Sequence, residues 1–347
     1  MVKQPTIILG VESSCDETSC ALVVNGCDVL ANVVASQIEL HARFGGVVPE
    51  IASRAHIEAI NSVIEQTMGQ GNLHPRELDA VAVTYEPGLI GSLLVGLMAA
   101  KTLAWVWGKP LVGVNHVYAH AYAAALDEAP LDYPAVALIC SGGHTALYHC
   151  RSPIEMELIG STIDDAAGEA FDKVANILHL GYPGGPVIDR IAREGNPQAV
   201  DFPRSLLAGQ SLDFSFSGIK TAVLYHVQGV PGAHRDVAPR PELTPQQVAD
   251  IAASFQAAVV ETLVIKLRRA AKQVKARTLI LGGGVAANSA LRAAVTDLAA
   301  KLHLPLRLPA MRYCMDNAAM VAGLGYHYLK AGKIDTLLLD AHATVRR

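Results

Sequence analysis

Hydrophobic and polar positions alternate along this chain on two length scales. Short aliphatic runs at Thr6–Gly10, Cys20–Val24, Ala80–Thr84 and Leu111–Val114 read as strands buried on both faces. A polar loop, Glu12–Ser19, separates the first two runs, and a helix-like stretch, Gly91–Trp107, separates the last two. This pattern predicts an α/β architecture. Pro134–Ile139, the loop Cys140–Thr145 and Ala146–Cys150 repeat the strand, polar loop, strand layout of residues 6–24. The repeat predicts two related lobes with a cleft between them, although any two hairpins share some likeness.

A third glycine-rich site follows. Thr278–Leu281 reads as a strand, Gly282–Gly284 as a turn and Val285–Arg292 as the start of a helix, whose first amides offer an anion site. Val230–Pro245 holds four prolines and reads as a surface loop. The expected division is 1–130 for a first lobe, 131–322 for a second lobe carrying the site residues, and 323–347 for a helix and tail returning to the first.

Composition narrows the function classes. The 347 residues carry a net charge of −4, so there is no global basic field and a nucleic acid must be met by a local patch or a partner. The apolar stretch Pro87–Ala100 stops at Lys101, short of a bilayer span, and no leader pattern opens the chain. Six cysteines without a C-x-x-C pair read as reduced thiols. A cytoplasmic protein without a membrane partner is expected. Lys266, Arg268, Arg269, Lys272, Lys275 and Arg277 form a basic run that reads either as a solvated helix face or as a phosphate contact.

The candidate chemistry lies in separate segments. His116 and His120 are four apart; on a helix both imidazoles leave one face and can share a metal, or else decorate a surface. Val117 stands where a metalloprotease carries glutamate, which argues against peptide hydrolysis. Asp316 precedes the helix-like run Ala318–Leu329 and is either a third ligand or an N-cap. Two imidazoles and a carboxylate suit iron(II), zinc or manganese better than calcium. Ser141–Thr145 supplies small residues whose amides can approach a phosphate. Glu169 and Asp172 fall about one helical turn apart, and Tyr182–Pro186 followed by Asp189 can hold hydroxyl groups. Ser217–Thr221 lacks the upstream glycine of a P-loop.

In order along the chain stand Val11–Thr18 (VESSCDET), Gly45–Glu50 (GGVVPE), Ser53-Arg54, Asn115-His-x3-His120, Ser141–Thr145 (SGGHT), Asp164–Lys173 (DDAAGEAFDK), Tyr182–Pro186 (YPGGP), Asp213–Thr221 (DFSFSGIKT), Gly282–Asn288 (GGGVAAN) and Cys314-x-Asp-Asn317. As a set, over roughly residues 5–335, they resemble the tRNA N6-adenosine threonylcarbamoyltransferase family, TsaD. The resemblance implies the actin-like, sugar-kinase and Hsp70 (ASKHA) fold with two ribonuclease-H-like lobes around a central cleft. It implies transfer of a threonylcarbamoyl group from L-threonylcarbamoyl-AMP to N6 of adenosine 37 in tRNAs that read codons starting with A. By position it implies His116, His120 and Asp316 as ligands of one divalent metal, usually iron(II). It implies Ile139, Cys140, Ser141, Gly142, Gly143, Asp172, Gly185, Asp189 and Asn288 as adenylate-binding residues. Its bacterial partners are an inactive paralogue, TsaB, and a small ATPase, TsaE; the apolar Gly91–Trp107 stretch is the expected paralogue contact. Asp16 and Glu17 are the candidate bases for the amine proton. The chain departs from bacterial relatives at Met315, where they often carry Thr, and in the length of the Val230–Pro245 loop. The alternative on the same fold is an ATP-dependent phosphotransferase.

Overall fold

The computed structural model describes residues 5–128, 130–205, 209–229 and 242–344. Residues 230–241 of the expected proline-rich loop lie outside the described residues. Two five-stranded sheets organise the chain. The first holds β1 (Ile7–Glu12), β2 (Glu17–Val24), β3 (Asp28–Ser36), β4 (Ala80–Glu86) and β5 (Leu111–Asn115) in the order β3-β2-β1-β4-β5. The second holds β6 (Ala135–Cys140), β7 (Thr145–Ser152), β8 (Glu155–Ser161), β9 (Thr278–Gly282) and β10 (Leu306–Arg307) in the order β10-β9-β6-β7-β8. Adding five to each strand number of the first sheet reproduces the second. The parallel pairs agree too: β1–β4 and β4–β5 in one sheet, β6–β9 and β9–β10 in the other. The hairpin likeness in the sequence is thus the visible part of a repeat that covers a whole sheet.

Side chains alternate across the strands as a period of two demands. On one face of the first sheet, Ile8, Ala82 and Val114 pack against the helix Ala318–Lys330 through Ala318, Ala322 and Leu324. On the other, Leu9, Val11, Val81 and Val83 meet Leu93, Leu97 and Ala100 of the helix Ile90–Trp107. Gly10 permits the close approach of the first helix, because a Cβ there would lie 2.3 Å from the carbonyl oxygen of Ala318. The outer strands β3 and β8 are half-exposed, so they lack the aliphatic runs that mark the inner strands in the sequence. In the second sheet's half, Thr244 and Gln247 form a capping box for the long helix Pro245–Gln273, which buries Phe255, Val259, Leu263 and Leu267.

The chain divides into one unit of 1–132, 150–156 and 309–347, and a second of 133–149 and 157–308. The return to the first unit therefore begins at Pro309, not near residue 322. Its cause is local: Tyr313 is buried in the first unit's core and donates to Asp127 (2.7 Å), and Arg312 pairs with the same carboxylate. Asp316 consequently belongs to the first unit. Among the described residues, the helices Ile90–Trp107 and Pro245–Gln273 are long and apolar enough to cross a membrane by length and composition. The first reaches past Lys101, beyond the stretch read as too short. It buries one face and exposes Ile90, Met98, Trp105 and Val106 on the other. The second is largely buried.

Candidate metal centre and glycine loops

Strand β5 ends at Asn115, whose side-chain oxygen accepts from the amides of Val117 (3.0 Å) and Tyr118 (3.2 Å). This cap starts the helix His116–Tyr122 at once, so His116 and His120 stand one turn apart with ring centroids 4.6 Å from each other. Both are buried. Asn317 caps the helix Ala318–Lys330 by accepting from the amide of Met320 (3.1 Å), which spares Asp316 that task. Asp316 Oδ1 lies 3.0 Å from His120 Nε2 and 3.6 Å from His116 Nε2. The three residues named from the sequence therefore meet within one unit, across 196 positions of chain between His120 and Asp316.

Glu12, which draws no weight in the sequence, completes the cluster. It is fully buried at the end of β1. Its Oε1 accepts from the amide of Ser14 (2.6 Å), and its Oε2 accepts from Thr84 Oγ1 (2.6 Å) and faces His116 Nδ1 at 3.0 Å. A carboxylate can only accept, so in neutral His116 the proton sits on Nδ1 and Nε2 keeps its lone pair toward Asp316. An outer carboxylate holding a ligating imidazole in this way is the usual second partner of a metal-bound histidine. His120 Nδ1 is buried and has no hydrogen-bond partner among the described residues. Ligand atoms of His116, His120 and Asp316 all lie within 4.8 Å of one another. That span, the N/N/O donor set and the fixed tautomer fit a first-row divalent cation bound at about 2.0–2.2 Å.

The same charges move the titration of the cluster. Burial pulls His116 down, but the carboxylates of Asp316 and Glu12 and the bond to Glu12 outweigh it and raise its pKa to about 9. For Glu12, burial raises the pKa and the His116 charge and hydrogen bond overcome it, leaving it below the usual carboxylate range. Glu17 goes the other way. Burial, then the charges of Asp316 and Asp16, push it up to about 10, although Ser36 Oγ donates to it at 3.1 Å. A carboxyl in that state holds its proton at neutral pH and is a poor acceptor; Asp16 beside it is half-exposed. Next to them His56 is pinned: its Nε2 donates to Cys15 O (3.0 Å) and its Nδ1 accepts from Thr18 (2.8 Å).

In the second unit, the Ser141–Thr145 loop is a tight turn, with Ser141 N donating to His144 O (2.8 Å) and His144 N donating to Ser141 Oγ (3.1 Å). Gly142 and Gly143 have open space where a Cβ would stand. Their neighbours do not: a Cβ on Gly168 would lie 2.5 Å from Ser141 O, and one on Gly283 (φ +83°) would lie 2.3 Å from Cys140 O. Ile139 and Cys140 have fully buried side chains, so only their backbones can face a ligand. Asp172 Oδ1 accepts from the amide of Gly184 (2.7 Å), next to Gly185, whose Cβ position is open. Asp189 is buried and accepts from Ser289 Oγ (2.8 Å), Ser289 N (3.3 Å) and Arg193 (3.3 Å). Asn288 caps the helix Ser289–Leu302 through the amide of Leu291 (2.9 Å) and donates to Gln256 (2.7 Å). The helix expected from Val285 begins at Ser289, after a single 3₁₀ turn Gly284–Ala287, because Asn288 supplies its cap. Ser217–Thr221 opens a helix, and Lys220 pairs with Asp165 at 2.9 Å.

Comparison with known proteins assigns the chain. The family model of TsaD, tRNA N6-adenosine threonylcarbamoyltransferase, matches residues 28–323. The chain belongs to this family. The threonylcarbamoyltransferase of Anaeromyxobacter dehalogenans is 50% identical over 331 residues, covering 94% of this chain and 96% of that protein. Among solved structures, full-length HypF superposes with TM-score 0.59 at 14% identity, covering 99% of this chain and 49% of that one. A ROK-family protein of Streptococcus pneumoniae gives TM-score 0.54 at 9% identity, covering 94% and 99%. These two likenesses establish the ASKHA fold alone. Family membership makes the chain a transferase that acts on tRNA adenosine, and the kinase alternative is not favoured.

Proposed function

We propose that the chain transfers the threonylcarbamoyl group of L-threonylcarbamoyl-AMP to N6 of adenosine 37, with His116, His120 and Asp316 holding the required metal. The observation that carries this reading is the His116–His120–Asp316 cluster, with both imidazoles buried, and its outer carboxylate, Glu12. The donor set favours iron(II), with zinc or manganese able to occupy it.

The adenine N6 lone pair is delocalised into the ring, so the acceptor is a weak nucleophile. When bound, the metal supplies Lewis acidity to a carbonyl. The chain's own groups do the rest. Amides of Gly142 and Gly143 and of the Gly282–Gly284 turn stabilise charge on the departing AMP phosphate. Asp172, Gly185, Asp189 and Asn288 shape the nucleotide site; the hydrogen bonds of Asp189 and Asn288 fit a role in holding the site rigid. The N6–C bond forms, the bond from that carbon to the phosphate oxygen breaks, and the N6 proton passes to a base. Of the two candidates, Asp16 is the better acceptor, since Glu17 holds its proton.

The exposed face of Ile90–Trp107, with Met98 55% and Trp105 72% exposed, fits the paralogue TsaB, and TsaE completes the partner set. The cytoplasm is the matching compartment. Mass spectrometry of nucleosides from unmodified tRNA, incubated with threonylcarbamoyl-AMP, the partners and this protein, tests the reading. A threonylcarbamoylated adenosine that appears only with the protein supports it; equal product without the protein refutes it.

A further inference from the structure

We infer that the exposed basic face at the end of the helix Pro245–Gln273 is a docking surface for the tRNA phosphate backbone. The inference rests on the tRNA reading and adds a surface to it. From Thr262 to Thr296 the sequence holds seven Lys and Arg and no Asp or Glu, in a chain whose net charge is −4.

The structure sorts these cations. Lys266 is buried and donates to Ser211 O (2.7 Å), Arg292 donates to Ala286 O (2.6 Å) and Arg269 is half-buried, so these three stand apart from the exposed set. Arg268, Lys272, Lys275 and Arg277 are exposed, and among the described residues none of their side chains has an ion pair. Arg268 and Lys272 are four apart on one face of the helix, and Lys275 follows two residues beyond its end. Lys275 takes a left-handed conformation (φ 53°), a position where glycine is the common occupant. The nearest acid before the stretch, Glu261, is already bound to Arg204 at 2.9 Å.

A helix end attracts one or two cations for its own carbonyl groups, but four unpaired cations exceed that need. They fit a ligand with several phosphates in a row. They sit at the start of β9 (Thr278–Gly282), the end opposite the Gly282–Gly284 turn. At about 3.3 Å per strand residue that is roughly 15 Å from the glycines, well within the length of a tRNA.

Four phosphate contacts give log K a salt slope of about −3 to −4, a loss of about 100-fold between 50 and 200 mM salt. The test measures tRNA binding against salt, and KM for tRNA with the partners present, for wild type, R268E/K272E and the milder K272Q/K275Q. The inference predicts a slope smaller by about 2 in each double variant. It also predicts a KM for tRNA raised about tenfold or more with kcat unchanged. Wild-type slope and KM in both variants, or loss of kcat alone, would overturn it. A wild-type protein that makes no modified nucleoside refutes the transferase reading instead, while the binding slopes still decide this surface.

Discussion

Glu12→Gln tests how the metal centre is held. The carboxylate accepts three hydrogen bonds, from Ser14 N, Thr84 Oγ1 and His116 Nδ1. An amide cannot accept all three. If its oxygen stays on Ser14 N, its NH2 group faces His116 Nδ1, so the imidazole proton either moves to Nε2, the atom that points at Asp316, or is left to Ser14 Oγ, 3.1 Å from Nδ1. If the amide turns over, its NH2 group faces the Ser14 amide and two donors collide 2.6 Å apart. Each outcome removes a ligand lone pair, weakens the hold on the His116 ring or displaces the loop after β1. Loss of an outer partner of this kind costs about 10–100-fold in metal affinity, or about 1.4–2.8 kcal/mol at 1.4 kcal/mol per tenfold. The assay is competitive titration of cobalt(II) or zinc into metal-free protein, with circular dichroism to confirm the fold. Affinity within twofold of wild type in a folded Glu12→Gln protein would refute the reasoning.

In metal-free protein, His116 favours folding through its proton: with an unfolded pKa near 6.5 and a folded value of about 9, that contribution is complete below 6.5 and fades as pH rises through 9. Metal must displace this proton, so apparent affinity should rise about tenfold per pH unit between 7 and 9; a flat profile by titration calorimetry contradicts it. Gly283→Ala should destabilise the protein by roughly 2–4 kcal/mol in urea unfolding, from the positive φ and the clash with Cys140 O. Met98→Glu with Trp105→Glu should abolish co-purification with the paralogue and leave the melting temperature of the isolated chain within a few degrees.

Much of the fold and of the metal centre is legible in the residue pattern alone. Strands covered on both faces are aliphatic, the edge strand β5 included, and that is why β1, β2, β4, β5, β6 and β9 stand out in the sequence. The outer strands β3 and β8 show half-exposed mixed patterns and carry no such signal. The spacing of His116 and His120 announces a shared face. Asp316 is ambiguous until Asn317 is seen to take the cap. Glu12 escapes notice because its neighbours Asp16 and Glu17 look equally acidic in sequence; only three-dimensional contact separates a buried acceptor from a protonated neighbour. A carboxylate closing the apolar run Ile7–Val11 is the one clue to it. The boundary near Pro309 is hidden for a similar reason: Tyr313 and Arg312 choose their unit through Asp127, about 186 positions away.

The most direct measurement compares threonylcarbamoylated adenosine yield for chelator-stripped wild type and Asp316→Ala, each before and after adding iron(II). The account predicts that iron restores product to the wild type and leaves the variant inactive although folded. Full product from stripped wild type, or from Asp316→Ala, would contradict the claim that His116, His120 and Asp316 form the metal centre on which transfer depends.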